Sequence, residues 1–297
     1  MATGKALDGK PYAGNPHVRF DEGEVAPCTV EASLRRVPCR RQPEGRASGC
    51  AATPRRGSLL YKMCRCFMAA VCVVACGMIN ANDNVLTKAA MPIRSPWPAR
   101  EQEKRNQITK SGGSIDLVFV GDSITHGWEN EGRGKNLYDT LRKTYSILNL
   151  GYSGNCTQNI IWRLENGELD GYKAKLFMVM AGTNNVEPPE EVAVGVRRIL
   201  DLIRSRQPQA KILLLPIFPR GESAADARNA KNAKVNEIIQ GFADGVHILW
   251  CDFTSELRDS AGGLSGNLSQ DRLHLNEAGF AIWLKHVLPH FERTCGK

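Results

Sequence analysis

The stretch that most constrains this chain runs from Ile115 to Thr125. Its mainly apolar first half, 115–120, predicts a buried strand that ends at Gly121-Asp122-Ser123. In open α/β sheets, ligands bind at the carboxyl edge, where such a serine would present its hydroxyl. Serine becomes a nucleophile only when a base accepts its proton, and serines are also common helix caps. From the tripeptide alone, Ser123 could therefore be either a nucleophile or a helix cap.

A candidate base lies near the carboxyl terminus, in the sequence Asp271-Arg-Leu-His274. Residues three apart on a turn or helix are neighbours. Asp271 can therefore bond one imidazole nitrogen of His274 and direct the other towards Ser123, as in a Ser-His-Asp triad.

Apolar segments alternate with helical patterns through the second half of the chain. Further strands are predicted at 146–150, 176–180, 211–215 and 246–250, and helices at 134–144, at 157–164, from Pro188-Pro189 onward, at 226–242 and at 276–293. Near-continuous apolar strands that alternate with helices predict a parallel sheet with both faces covered.

Two more loops at the predicted carboxyl edge carry hydrogen-bond donors. The loop 151–157 contains glycines that can offer an unobstructed backbone N–H, and Gly182-Thr-Asn184-Asn185 offers a side-chain amide. With Ser123 and the pair at 271–274, these loops could supply a nucleophile, a base, an orienting carboxylate and two oxyanion donors.

These four blocks, in this order and spacing, resemble those of the SGNH (GDSL) hydrolases. The segments 157–169, 219–222 and 229–236 also look like those of one subgroup, the catalytic subunits of platelet-activating-factor acetylhydrolase and their secreted bacterial relatives. The resemblance covers about residues 110–293. It implies a flavodoxin-like three-layer α/β/α sandwich with a five-stranded parallel sheet in the order 2-1-3-4-5, and neither cofactor nor metal.

Residue by residue, the resemblance implies Ser123 as nucleophile, His274 as base and Asp271 as its partner. The implied oxyanion donors are the Gly154 N–H, the Asn184 side chain and the Ser123 N–H. Many members of the wider superfamily have Asp at the position of Asn185, but the acetylhydrolase-like subgroup has Asn, so this departure does not weaken the assignment.

Four residues are predicted to contact the substrate: Asp122, His126, Tyr152 and Asn185. His126 follows the serine by three positions and could compete as the base. No carboxylate precedes it at a suitable spacing, so we expect it in the pocket wall.

Three other side chains have two interpretations each. Cys156 lies near a helix start, where thiolates are stabilised, but is assigned as a packing residue. Trp128 and Trp162 could line a pocket, although the spacing of Trp162 is typical of a core residue.

The sequence thus predicts a serine ester hydrolase that acts on short acyl esters of a carbohydrate or small alcohol. Alternatives are a lysophospholipase or thioesterase, which differs only in substrate, and a catalytically idle carbohydrate-binding module on the same fold. We expect no nucleic-acid partner and no stable membrane span, and no oligomeric state is predicted.

Charge and cysteine are concentrated before the predicted domain. Residues 1–81 carry 12 Lys and Arg against 6 Asp and Glu, which accounts for six of the eight net positive charges. Nothing in the remainder suggests polyanion binding. Seven of the ten cysteines lie at or before position 76, so the remaining three form no disulfide framework.

The chain divides into four predicted parts. Residues 1–62 are a disordered or mis-called upstream extension, 63–81 a signal peptide, 82–109 a polar linker and 110–297 the hydrolase domain. The uncharged run 67–79 follows Lys62 and Arg65 and is too short for a comfortable span. We therefore expect Met63 as the true start and a secreted, periplasmic or envelope location, with lipidation at Cys76 or an internal anchor helix as the alternatives.

Overall fold

The computed structural model describes residues 87–297. The predicted upstream extension, the signal peptide and Cys76 lie outside the described residues and stay predictions. Within the described range, no helix is long and apolar enough to cross a membrane. The three cysteines of this range are free thiols.

A sheet of five parallel strands forms the centre of the domain. The strands are β1 (Ser114–Gly121), β2 (Ile147–Gly151), β3 (Lys173–Met180), β4 (Lys211–Leu214) and β5 (Ile248–Trp250). Their spatial order is 2-1-3-4-5, as predicted. Gly121 at the end of β1 pairs with Gly151 of β2 and with Met180 of β3, so these three strands end level with one another. The loops that follow them consequently share one edge.

Helices cover both faces of the sheet. In chain order they are α1 (Pro98–Lys110), α2 (Ser123–His126), α3 (Lys135–Leu141), α4 (Thr157–Arg163), α5 (Pro189–Arg206), α6 (Ala227–Ile239), α7 (Thr254–Leu257) and α8 (Glu277–Cys295). Alternate residues of β1 enter different cores because successive strand side chains point to opposite faces. Val118 and Val120 pack with α4, α5 and α6, whereas Leu117 and Phe119 pack with α3 and α8. The predicted three-layer sandwich is confirmed.

The core between β1 and α8 is aromatic. The ring of Trp128 lies 4.9 Å from that of Phe280 and 5.1 Å from that of Trp283. Trp128 has no exposed surface, so its assignment to a pocket wall is wrong. Trp162 is only partly buried, with the Arg94 guanidinium 5.3 Å from its ring.

The segment 82–109, predicted as a linker, contains a helix where the structure describes it. Residues 98–110 form α1, and Arg100, Lys104 and Ile108, spaced four apart, make its buried face. Two of these three are cations that pair with Glu129. A helix with a charged buried face has no hydrophobic period, which is why the sequence pattern indicated a connector.

Candidate active site

Ser123 is the first residue of α2 and follows directly on the end of β1. The helix cap is Asp122, whose Oδ1 accepts a hydrogen bond from the Ile124 N–H at 2.9 Å. The Ser123 hydroxyl is therefore not used in capping. The turn requires glycine at 121, because a Cβ there would lie 2.1 Å from the Thr125 Oγ1 and 2.6 Å from the Met180 carbonyl oxygen.

The structure brings Ser123, His274 and Asp271 into one chain of hydrogen bonds. The His274 Nε2 lies 2.9 Å from the Ser123 Oγ, and its Nδ1 lies 2.6 Å from the Asp271 Oδ2. Ser123 comes from the carboxyl end of β1, and the other two come from the loop before α8. This is the geometry in which imidazole can accept the hydroxyl proton while the carboxylate stabilises the resulting cation.

Asp271 is held in place by its second oxygen. The Oδ1 accepts hydrogen bonds from the backbone N–H groups of Leu273 and His274, at 3.0 and 2.8 Å, and from the Ser269 hydroxyl at 3.1 Å. Burial disfavours the charged carboxylate, but the hydrogen bonds from backbone and ring of His274 outweigh it and lower the pKa of Asp271 to about 2. Asp271 is therefore ionised throughout the neutral range.

The tight turn at 271–274 depends on Arg272, which adopts a positive φ of 55°. Its guanidinium lies 2.8 Å from the Asp259 carboxylate and also donates to the Leu264 carbonyl oxygen. Left-handed backbone at a non-glycine residue costs free energy and persists only where the surroundings enforce it. The sequence pattern indicates neither Arg272 nor Ser269. The partners of Arg272 belong to a separate loop, and the bond from Ser269 to Asp271 forms only within the folded turn.

The two predicted oxyanion loops lie together. Gly154 has a φ of +77°, and its missing Cβ faces open space. One amide hydrogen of Asn184 goes to the Asn155 carbonyl oxygen at 3.0 Å, which joins the loops after β2 and β3. A primary amide has two N–H donors, so the second remains for another acceptor.

Three of the four predicted substrate contacts, Asp122, Tyr152 and Asn185, are at most 2% exposed and so have almost no surface to offer a substrate. Asp122 caps α2. The Tyr152 hydroxyl donates to the Glu168 Oε1 at 2.5 Å. Asn185 accepts from the Thr157 N–H at 3.0 Å and so fixes the start of α4. These bonds fix the segments around the site. The partners of Tyr152 and Asn185 lie 16 and 28 positions away, where no local pattern indicates them.

His126 is bonded to the neighbouring loop. Its Nδ1 lies 3.0 Å from the Ser153 Oγ, and the Trp97 ring packs edge-on at 6.2 Å. Burial, together with the nearby Arg100 guanidinium, lowers the pKa of His126 to about 4. The His126 imidazole is consequently neutral at neutral pH. The imidazole that lies 2.9 Å from the Ser123 Oγ is that of His274.

Cys156 directly precedes α4. Burial, and secondarily the Glu187 carboxylate, raises the pKa of its thiol to about 11. Because the reactive species is the thiolate, this shift favours the interpretation as a packing residue.

A cleft of about 240 Å³ lies beside the histidine. Its lining consists of Gly132, Arg133, Gln270, Asp271, His274, Leu275 and Asn276. Neither Gly154 nor Asn184 contributes to it. The cleft borders the Asp271–His274 turn, and Ser123 is not among its lining residues.

Residues 119–282 match the model of the GDSL-like lipase/acylhydrolase family. The matched segment is more than half of the chain and includes Ser123, both predicted oxyanion loops and the Asp271–His274 turn. The chain belongs to the GDSL-like lipase/acylhydrolase family. The predicted resemblance is thereby confirmed, and the protein is an ester hydrolase by family.

Curated relatives and solved structures agree with this GDSL membership. The chain is 35% identical over 204 residues to the platelet-activating factor acetylhydrolase IB subunit alpha2 of Rattus norvegicus, covering 68% of this chain and 87% of the relative. A GDSL-like lipase from Bacteroides thetaiotaomicron superposes with a TM-score of 0.54 at 17% identity, over 66% of this chain and 98% of that one. An acetyl xylan esterase gives 0.51 at 18% identity, over 59% and 99%. At these identities the two structures show the fold of this GDSL acylhydrolase and not its substrate.

Proposed function

We propose that this protein is a serine esterase that hydrolyses short acyl esters through an acyl-enzyme. The observation that carries the proposal is the hydrogen-bond chain from Ser123 through His274 to Asp271, with lengths of 2.9 and 2.6 Å. The Ser123 Oγ attacks the ester carbonyl carbon as its proton moves to the His274 Nε2. The same proton then passes to the leaving alcohol, and Asp271 stabilises the imidazolium between these steps.

The tetrahedral intermediate carries a negative oxygen, which needs donors in fixed positions. We assign this role to the Gly154 N–H, the free amide hydrogen of Asn184 and the Ser123 N–H. The bond from Asn184 to the Asn155 carbonyl oxygen supports the assignment, because it holds the amide beside the loop 151–157, the glycine loop, before substrate arrives. Preorganised donors need no reorientation during the reaction and therefore stabilise the transition state most. Water then attacks the acyl-enzyme by the same route and releases the acid.

The proposed substrate is a short acyl ester of a carbohydrate or small alcohol. The leaving oxygen must meet the His274 Nε2, so the alcohol part belongs in the cleft that His274 lines. A volume of about 240 Å³ suits a small polar group rather than a lipid tail. The acetylhydrolase relative at 35% identity supports a short acyl part, and the acetyl xylan esterase of like fold is compatible with a sugar.

A fluorophosphonate probe tests the nucleophile, because only an activated serine reacts with it. Labelling of the wild type and its loss in Ser123→Ala is the expected result. An unlabelled wild type would support the idle carbohydrate-binding module instead.

A panel of p-nitrophenyl esters of increasing acyl length, together with acetylated sugars, tests the substrate class. We expect acetate to be cleaved fastest. Faster cleavage of octanoate or palmitate would indicate a lysophospholipase-type acylhydrolase.

A further inference from the structure

The helix α1 presents buried charges to the active-site loops. Arg100 is 8% exposed and Lys104 is fully buried. Both pair with the Glu129 carboxylate, Arg100 at 2.7 Å and Lys104 at 2.8 Å. Glu129 ends the short 3₁₀ turn Gly127–Glu129, which follows directly on α2 and the nucleophile. The cations of α1 are thus tied to the segment 122–129, the serine loop.

The same guanidinium also holds the glycine loop. The Arg100 Nε donates to the Gly151 carbonyl oxygen at 2.8 Å, and its Nη2 donates to the Asn149 carbonyl oxygen at 3.2 Å. In the order 2-1-3-4-5, β2 is an edge strand, and its outward carbonyls have no neighbouring strand. Residues 149 and 151 are two apart, so both carbonyls face the same side. Arg100 supplies the donors that a sixth strand would otherwise provide.

Further contacts make the two loops one unit. The Asn149 Nδ2 donates to the Thr125 carbonyl oxygen at 3.1 Å, and the His126 ring contacts the Ser153 hydroxyl at 3.0 Å. These bonds link α2, which follows β1, to β2 and to the loop after it. Arg100 joins the same two segments from outside the sheet. Its planar guanidinium has donors in fixed directions, which bond both to the carbonyl oxygens of β2 and to Glu129.

We infer that Arg100 is a positioning residue that fixes the glycine loop, and with it the Gly154 N–H, against the serine loop. Glu129 orients its guanidinium. Arg100 touches neither substrate nor the reacting atoms; it acts through the carbonyl oxygens at the end of β2. The inference rests on the proposed esterase function and adds to it the element that holds one oxyanion donor in place.

The experiment compares Arg100→Met, Arg100→Lys and Arg105→Met in the full chain, with p-nitrophenyl acetate as substrate. Misplacing a catalytic group by about 1 Å costs on the order of 100-fold in rate. We therefore expect kcat to fall about 10- to 100-fold in Arg100→Met, with KM within about twofold of wild type. Arg105, exposed on the same helix and bonded at 3.5 Å to the Asn166 carbonyl oxygen, is the matched control and should leave kcat unchanged.

Arg100→Lys separates positioning from folding. Lysine keeps the charge opposite Glu129, but one ammonium cannot span both carbonyls, so kcat should be intermediate in a protein with near-normal thermal unfolding. If Arg100→Met does not fold, this variant decides the question. A wild-type kcat in a folded Arg100 variant, or a loss confined to KM, would overturn the inference.

A double-mutant cycle with Asn184→Ala supplies a readout that a purely structural role would not change. Both substitutions are expected to act on the same oxyanion, so the combined loss in kcat should be smaller than the product of the single losses. Independent, multiplicative losses would contradict the inference. An inactive wild type would instead contradict the proposed esterase function, so the two failures are distinguishable.

Discussion

The side chains of Asn184 and Asn185 are adjacent in sequence, yet the structure gives them different tasks. Asn185 is buried and fixes the start of α4 through the Thr157 N–H. Asn184 is only partly buried and uses one amide hydrogen to hold the Asn155 carbonyl oxygen. The Asn185 Nδ2 already donates to the Gln158 Oε1 and the Glu187 Oε2, each at 2.9 Å, so only Asn184 has a donor left for substrate.

We expect Asn184→Ala to remain folded and to lose about 10²- to 10³-fold in kcat with a near-normal KM, because the lost donor acts only on the transition-state charge. Steady-state kinetics with p-nitrophenyl acetate measure both constants. Asn106→Ala, on the exposed side of α1, is the control and should match wild type. A fully active Asn184→Ala enzyme would refute the assignment of this loop.

The depressed pKa of His126 predicts an acid-sensitive contribution to stability. An unfolded histidine binds a proton below about pH 6.5, whereas folded His126 stays neutral down to about 4. Between these values the unfolded chain binds more protons, so the contribution is present above pH 6.5 and is lost as the pH falls towards 4.

In His126→Gln this contribution disappears, while glutamine can still hydrogen-bond to Ser153. Urea unfolding of wild type and variant at pH 7 and 4.5 should show their difference in unfolding free energy moving in favour of the variant at the lower pH. Ester hydrolysis at pH 7 should be substantially retained. A variant as inactive as His274→Ala would mean that His126 is the base.

At the scale of elements, the junction between β1 and α2 leaves no room for a side chain at residue 121. A Cβ on Gly121 would meet the Thr125 hydroxyl and the backbone of β3 at less than 3 Å. Gly121→Ala should therefore destabilise the fold by about 1–3 kcal/mol through overpacking and displace Ser123. Gly241→Ala is a matched control, since nothing lies within 4 Å of its missing Cβ. Equal unfolding midpoints in urea would contradict the expectation.

The sequence predicted elements best where burial is apolar. The five strands appear as apolar runs, and their bounds in the structure differ by a few residues at most. The sequence pattern did not indicate α1, because Arg100 and Lys104 are buried in ion pairs with Glu129, which lies 25 or more positions away. For the same reason the burial of Tyr152 and Asn185 could not be predicted. Ser123, Asp271 and His274 were identified from their spacing and from the family resemblance.

At the scale of the whole molecule, the resemblance implied the strand order, and the order in turn explains why the site could be predicted. Parallel strands that end level place loops from distant parts of the sequence at one edge, so a polar block after each strand is enough to suggest a site. The loop at 271–274 joins them from a position after the last strand. The packing of these loops against α1 depends on contacts that no single block contains.

The predicted signal peptide, 63–81, concerns the whole molecule as well. The uncharged run 67–79, preceded by basic residues and followed by Ala81, predicts export with Asn82 as the new amino terminus. Amino-terminal sequencing of the mature protein measures this directly. A mature chain that retains residues before 63 would contradict the mis-called start, and a lipid on Cys76 would favour the lipoprotein alternative.

The bond between Arg100 and the edge of β2 has a practical consequence for making the protein. The segment that matches the family model begins at residue 119, after α1. A recombinant domain cut to those limits would begin inside β1, and even a fragment that starts at Ser114 would lack α1 and leave the outward carbonyls of β2 unpaired along an open edge. Open strand edges recruit other chains, so such a fragment would aggregate during expression. The soluble unit therefore has to include the charged helix that precedes the family's own boundary.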